Sequence, residues 1–305
     1  MKKHIASILF LFLLSTFQLI AQSHSVKRLG IEQGLSNNYV VSITQDKQGF
    51  LWFATEEGLN KFDGTRFTTY YKNDLTQDNQ GITGNELNRV YADTKHPIIW
   101  IATQRDGLNA YNYNEQTFTA YQHNPKNPHS LITNDVTDIS PSTQHDDGLW
   151  ISTYYRGIEY LDITSGQFTH YNKSTVPGLP CDQTWTVLDG GDGNLYIGHV
   201  GSGFSIFSPK DKSVKNFRNE AGNPMSLPGN DVFCIIKDAN GNIWLGTNNG
   251  LALYDAANEN FITFKNNKND KYATLCSRIL SIRQLKDNRL WIASELNGIA
   301  ILNLK

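Results

Sequence analysis

Nine side chains in short, variable segments of the sequence could together bind a polar organic ligand. Tyr154 and Tyr155 could stack on a sugar ring, since tyrosine offers an apolar face and a hydroxyl. Arg105 and Arg156 could hold a carboxylate through paired hydrogen bonds from a planar guanidinium. The other polar candidates for ligand binding are Glu57, Asp106, His199, Asn249 and Glu295. For each residue taken singly, the competing interpretation is an ordinary solvated turn.

An enzyme acting on glycans, a hydrolase or a lyase, is the main alternative to a binding module. Such an enzyme needs two carboxylates facing each other across a bond, or a metal cluster. No spacing unites the acidic residues of the variable segments, which are Glu56, Glu57, Asp106 and Glu295. The Asp-x-x-Gly turns also lack the further ligands of a calcium loop. We therefore predict no catalytic residue, no cofactor and no metal; a protein-binding module is the third possibility.

The variable segments lie between copies of a short repeated phrase. Six times the chain reads apolar residue, Trp or Tyr, apolar residue and small residue, at intervals of 46 to 50 residues. A glycine follows each aromatic residue by six or seven positions. A fixed period of this length, filled with short β-type runs, is typical of a β-propeller. The aromatic residues, called the anchors below, are Trp52, Trp100, Trp150, Tyr196, Trp244 and Trp291.

Each repeat is predicted to fold as four strands. In the fifth repeat the strands are residues 232–236, 242–247, 251–254 and 260–264, with Asn-Gly turns between the first three. The anchors are expected to pack between blades, each burial contributing about 2–3 kcal/mol, and Trp185 is also expected in the core. A Thr or Ser after the small residue is expected to form a structural hydrogen bond. The predicted fold is an all-β propeller, residues 22–305, with repeats at about 36–82, 83–131, 132–179, 180–228, 229–274 and 275–305.

A propeller has to cover its two ends, because an uncovered strand edge or blade face invites association. The sixth repeat contains three predicted strands, and residues 25–29 form a spare strand before the first repeat. We expect residues 25–29 to complete the sixth blade if the ring closes with six. The alternative is an open arc that is an incomplete seven-bladed ring.

The N-terminus and the composition indicate export. Lys2 and Lys3 precede an apolar run over residues 5–14, which predicts a signal peptide over residues 1–21 and a periplasmic protein. A membrane anchor is the alternative, but the run is short for a span. A net charge of −2 excludes a basic surface for nucleic acid. The cysteines Cys181, Cys234 and Cys276 show no disulfide framework and are expected to be partly buried thiols.

The repeats resemble those of the two-component regulator propeller family. The resemblance rests on residues 45–64 and 238–251, in which the turn glycine, the anchor Trp and the second glycine recur together, and on residues 34–38. It implies a periplasmic sensor of glycan-derived oligosaccharides or related nutrients, acting in a hybrid two-component system. In that family two seven-bladed propellers precede an immunoglobulin-like domain, a membrane helix and a histidine kinase, and dimers are expected.

This sequence departs from the full family pattern. It has six repeats and none of the kinase, receiver or DNA-binding parts. We therefore expect a chain that cannot itself phosphorylate a substrate and that contacts the membrane only through a downstream segment. The expectation is a fragment of such a sensor, a truncated form, or a free-standing binding module.

Overall fold

The computed structural model describes residues 28–73, 81–264, 275, 277–285 and 288–304. Apart from short 3-10 turns such as Ile31–Gln33, the regular structure of these residues consists of β-strands. None of their helical turns has the length and apolar character that a membrane crossing requires. The predicted signal peptide, residues 1–21, and Cys276 lie outside the described residues.

The strands follow the chain in groups of four, one group to each blade. The first three blades contain β1 (Val40–Gln45), β2 (Leu51–Thr55), β3 (Gly58–Phe62), β4 (Phe67–Tyr70), β5 (Leu87–Ala92), β6 (Ile98–Thr103), β7 (Leu108–Asn112), β8 (Thr117–Tyr121), β9 (Val136–Pro141), β10 (Gly148–Thr153), β11 (Gly157–Asp162) and β12 (Gln167–Tyr171). The last three contain β13 (Thr184–Asp189), β14 (Leu195–His199), β15 (Phe204–Phe207), β16 (Val214–Phe217), β17 (Val232–Lys237), β18 (Ile243–Thr247), β19 (Gly250–Asp255), β20 (Asn260–Thr263), β21 (Ile279–Gln284), β22 (Arg289–Ser294) and β23 (Gly298–Asn303).

Each blade is an antiparallel meander in which every strand pairs with the next strand of the chain. Five blades have four strands, and three strands of the sixth blade are described. The inner strands β1, β5, β9, β13, β17 and β21 lie side by side in that order. The predicted all-β propeller of six repeats is therefore confirmed.

The anchors are the main packing plates between successive blades, as predicted. Trp52 and Trp100 are completely buried, and Trp244 is 4% exposed. Each lies in a cluster with apolar side chains of the following blade, as Trp52 does with Val90 and Ile101. The second to fifth blades are covered in this way on both faces. Five clusters of buried residues, one between each pair of successive blades, therefore pack the six blades against one another.

The recurring Thr or Ser closes the turn between the second and third strands. Its hydroxyl donates to the carbonyl of the glycine that opens the third strand, and it also accepts the N–H of a turn residue. The five pairs that form this bond are Thr55–Gly58, Thr103–Gly107, Thr153–Gly157, Thr247–Gly250 and Ser294–Gly298. The predicted structural role of these residues is confirmed.

The first and sixth blades differ from the others because each has one uncovered face. Trp291 is 37% exposed, and Ile299 and Ile301 beside it on β23 are also exposed. Ile43 on β1 is 55% exposed, whereas its counterpart Val90 in the second blade is 2% exposed. No buried cluster joins the sixth blade to the first within the described ranges. The two ends of the arc therefore present apolar faces.

The predicted closure of the sixth blade by residues 25–29 falls partly outside the described residues, which begin at Arg28. Arg28 and Leu29 belong to no strand. Leu29 packs beside Leu35 and Phe53 of the first blade. The structure thus places Leu29 against the first blade, and the closure stays a prediction.

Gly107 directly precedes β7, the third strand of its blade, and has a left-handed backbone conformation, at φ +90°. A Cβ there would lie 2.3 Å from the Tyr121 carbonyl oxygen, whereas Gly64, at φ +98°, has no neighbour within 4 Å. Alanine at either position should cost about 1–2 kcal/mol of unfolding free energy through backbone strain. Gly107→Ala should cost at least about 1 kcal/mol more, because the Tyr121 carbonyl has to move. Urea unfolding measures the difference, and equal losses would contradict the clash.

Candidate functional site

The inner strands all begin with a β-bulge, which turns one residue out of the regular alternation. The ladder shifts by one position at this point in every blade. Bulges of this kind re-aim a side chain and are frequent beside binding sites. The bulged residues, which lie at the end of the inner strands nearest the turns between second and third strands, are Val41, Asn88, Thr137, Trp185, Phe233 and Leu280.

Two bulged residues belong to a row of aromatic rings, called the aromatic ladder here. Tyr155 contacts Tyr154 with ring centroids 4.3 Å apart, and Tyr154 contacts Trp185 at 5.9 Å. Trp185 contacts Phe233 at 5.9 Å. The guanidinium carbon of Arg278 lies 4.3 Å from the centre of the Phe233 ring. The ladder therefore runs from the third blade to the fifth, and Arg278, which precedes the inner strand of the sixth blade, adds a cation at one end.

Exposure along the aromatic ladder suits contact with a ligand. Tyr155 is 54% exposed, and Tyr154, Trp185 and Phe233 are partly buried. The core position predicted for Trp185 is thus only partly correct, since its ring shares its contacts between Tyr154 and Phe233. Each ring is held by the next one, which fixes the geometry of the row before any ligand arrives.

Charged groups flank the tyrosine end of the aromatic ladder. Burial raises the pKa of Asp135, and the nearby Arg105 guanidinium opposes that rise. Burial also raises the pKa of Tyr154, and Tyr155, Asp231 and Asp135 add to the effect. Asp135 and Asp231 therefore lie in the electrostatic surroundings of Tyr154, and Arg105 lies in those of Asp135. Of the predicted residues, Tyr154 and Tyr155 are in direct contact, and the joint role of Arg105 with them stays a prediction.

Glu295 is connected to the other end of the aromatic ladder. Its carboxylate accepts a hydrogen bond from Arg278 Nη1 at 3.3 Å, and Arg278 covers Phe233. Arg156 is exposed in the turn that carries Tyr154 and Tyr155. Three variable segments, which carry Arg105, residues 154–156 and Glu295, thus lie in or near the row of rings, and only Tyr154, Tyr155 and Arg156 are neighbours in sequence.

Three predicted residues hold turns or pair locally. Asn249 Nδ2 donates to the Pro228 carbonyl at 2.9 Å and ties two connections of the fifth blade. Asp106 pairs with Lys72 Nζ at 3.5 Å. Glu57 is exposed, and its N–H donates to Thr55. None of these contacts involves the aromatic ladder, and ligand binding by the three residues stays a prediction.

His199 was predicted as a ligand-binding residue, and its burial shows that this prediction is wrong. The side chain is 0% exposed, with Nε2 2.8 Å from Ser205 Oγ and Nδ1 3.5 Å from Cys181 Sγ. Burial lowers the pKa of His199 to about 4. His199 occupies the position that Thr or Ser occupies in the other five repeats. That correspondence was visible in the sequence and identifies a structural residue.

Sequence reasoning did not select Phe233, Arg278 or Asp135. A signal existed for Phe233, which stands at the same place in its repeat as Trp185. Arg278 and Asp135 lie in loops that precede inner strands of different blades. The relative position of these loops depends on how the blades are arranged in the propeller. The described residues contain no group of three or more potential metal ligands. Cys181 and Cys234 are free thiols, and burial raises the pKa of Cys234 to about 12.

Comparison with known proteins assigns the repeat. Residues 34–57 and 226–249 match the family described as two component regulator propeller. Two stretches of the chain match repeats of this family. Over 91% of its length it is 65% identical to a solved extracellular domain named for the hybrid two component system BT3049 from B. thetaiotaomicron, with a TM-score of 0.82. The predicted family resemblance is thereby confirmed.

Other relatives extend the comparison. A 66-residue stretch, 22% of the chain, is 42% identical to Histidine kinase P4 of Formosa agariphila, of which it covers 5%. The solved extracellular domain named for BT4673 from B. thetaiotaomicron is 23% identical over 92% of the chain, with a TM-score of 0.71 and 37% of that structure covered, and it supports the fold alone. The propeller spans 35% of the solved BT3049 chain, about a third of its length.

Proposed function

We propose that this propeller is the ligand-sensing part of a hybrid two-component system and that it binds a glycan-derived oligosaccharide. The observation that carries the proposal is the aromatic ladder. Its four rings come from three blades and lie in one row at the bulged ends of the inner strands. Aromatic faces contact the apolar faces of sugar rings, and a row of them suits a chain of sugars. The relatives that are extracellular domains of two-component systems support the sensing role.

The polar groups around the aromatic ladder supply the specificity of the proposed site. Sugar hydroxyls can donate to Asp135 and Glu295, and Arg105 or Arg156 can bind an acidic substituent through two hydrogen bonds. We assign no catalytic step to this chain, since Glu295 and Asp106 are each engaged by a basic side chain. The proposal includes a periplasmic location, signalling through a separate histidine kinase part, and the homodimer that the family resemblance implies.

Replacing Tyr155 by alanine should weaken oligosaccharide binding about ten-fold or more, because an exposed ring of the ladder is lost. The melting temperature should change little, since Tyr155 is 54% exposed. The matched control is Tyr71→Ala, which removes a 47% exposed tyrosine on the first blade. Thermal shift identifies the ligand first, because a ligand at 100 times its dissociation constant adds about 2.7 kcal/mol of stability. Calorimetry then compares the variants.

Two outcomes would contradict the proposed function. Equal weakening by Tyr155→Ala and Tyr71→Ala would place the binding site elsewhere. Turnover of an oligosaccharide by the purified chain would favour the glycan hydrolase or lyase instead.

A further inference from the structure

In four blades the N–H or O–H group of the anchor side chain donates a hydrogen bond to an aspartate carboxylate. Trp52 Nε1 donates to Asp46 Oδ2 at 2.7 Å, and Trp244 Nε1 donates to Asp238 Oδ2 at 2.9 Å. Trp100 and Tyr196 donate in the same way to Asp93 and Asp192. The other carboxylate oxygen of Asp46 accepts two backbone N–H groups of the first turn. One aspartate therefore serves both the turn and the anchor.

The third blade has Ser142 where this aspartate would stand. Ser142 Oγ accepts the N–H groups of Gln144 and His145 at 3.3 Å, so the turn is held. Serine has no second oxygen for the indole. Trp150 is 6% exposed, and its Nε1 lacks the aspartate acceptor that the anchors of four other blades have. Among the described residues the fully buried polar side-chain atom without a partner is the Tyr91 hydroxyl, so the Trp150 indole N–H is not sealed off and can donate to a molecule in the space beside it.

Trp150 lines a cleft of about 1080 Å³ between the third and fourth blades. We call it the interblade cleft. It opens among the turns that join first to second strands and third to fourth strands. These turns lie on the face of the propeller opposite the face that carries the aromatic ladder. Tyr160 and Tyr171 also line it, with ring centroids 4.8 and 5.6 Å from Trp150. Its volume is that of a small-molecule site, and its walls include aromatic rings.

The side chains that line the interblade cleft carry a net negative charge. Its lining includes Asp146, Asp147, Asp162, Asp189 and Asp192, against Lys210 and His145. Lys95 and His96 pair with Asp146 and Asp147 at the rim. Backbone N–H groups lower the pKa of Asp162 and keep it ionised. Such a field attracts organic cations and repels anions, and aromatic walls add cation–π attraction.

We propose that the interblade cleft is a second ligand site, distinct from the aromatic ladder, for a small cationic polyol. A hydroxyl group suits the site because its oxygen can accept from Trp150 Nε1 while its hydrogen is donated to a carboxylate. An ammonium group placed among the aspartates provides the charge complementarity. The proposal is independent of the sensing function, since the two sites lie on opposite faces of the propeller.

Glucosamine is the test probe, with glucose as its neutral counterpart, measured by calorimetry on the full chain. Glucosamine should bind at least ten-fold more tightly than glucose, and the difference should shrink as salt is added. Trp150→Phe, which removes the donor and keeps a ring, should weaken glucosamine binding about ten-fold. Asp162→Asn keeps the turn acceptor, and should weaken glucosamine binding while leaving glucose unchanged.

Trp100→Phe is the matched control, because its indole already donates to Asp93 and lies outside the interblade cleft. It should lower stability more than Trp150→Phe and leave glucosamine binding unchanged. Equal affinity for glucose and glucosamine, or equal weakening by Trp100→Phe and Trp150→Phe, would overturn the proposal. A Tyr155→Ala variant should bind glucosamine normally, so failure of the sensing proposal would not be mistaken for failure here.

Discussion

Replacing Trp244 by alanine should lower the free energy of unfolding by about 3–5 kcal/mol. Trp244 is 4% exposed, packs against Ile279 and Ile292 of the sixth blade, and donates its indole N–H to Asp238. The substitution leaves a cavity between two blades and a buried carboxylate without one of its donors. Loss of an anchor should therefore separate the fifth and sixth blades as well as destabilise each of them.

Trp291→Ala is the matched control for this substitution. Trp291 occupies the same position in its repeat but is 37% exposed, since no described blade covers its face. The cost should be less than half of that for Trp244→Ala, because much of the ring is already in water. Urea unfolding and hydrogen exchange would measure both. Equal costs would show that the end face of the sixth blade is covered in solution.

The comparison of these two tryptophans also decides what the sequence can predict about ring closure. All six anchors obey one pattern, and so the sequence assigns them one role. Five of them find a following blade, whereas Trp291 does not within the described residues. Whether the end face of the sixth blade is covered depends on the sum of the rotations between successive blades. The sequence of a single repeat does not determine that sum. The exposed Ile43 on the first blade is the same effect at the other end.

The candidate site could be predicted only in part, for a reason that lies in the bulges. Tyr154 and Tyr155 were identifiable because they interrupt an otherwise repeated turn. Trp185 looked like core because strand alternation places it among apolar neighbours. The bulge between Thr184 and Thr186 shifts that alternation by one residue, and a one-residue shift moves a side chain to another surface.

Glu159 illustrates a role that spacing alone does not reveal. It is 0% exposed, accepts the Ile132 N–H at 3.0 Å, and lies 3.0 Å from His170 Nδ1. In the first two blades an asparagine at this position holds the preceding connection, as Asn109 does by accepting from Thr83. A buried carboxylate is tolerated in the third blade only because both partners reach it.

His199 should make the propeller sensitive to acid, and His199→Thr should remove that sensitivity. Burial lowers the pKa of His199 to about 4, while an unfolded chain binds the proton near 6.5. Between these values the unfolded state takes up a proton that the folded state does not. Stability from His199 is therefore complete above pH 6.5 and is lost as the pH falls toward 4, by about 3 kcal/mol in total.

Threonine is the appropriate replacement because other blades carry it at this position, where it donates to the carbonyl of the following glycine. His170 acts in the opposite direction, since the hydrogen bond with Glu159 raises its pKa. That contribution is common to both proteins and cancels in their difference. The quantity to compare is the loss of unfolding free energy between pH 7 and pH 4.5. This loss should be smaller in His199→Thr than in the parent chain by at least about 1.5 kcal/mol. His129→Thr, which removes an exposed histidine, is the control, and an identical loss in all three proteins would show that acid acts elsewhere.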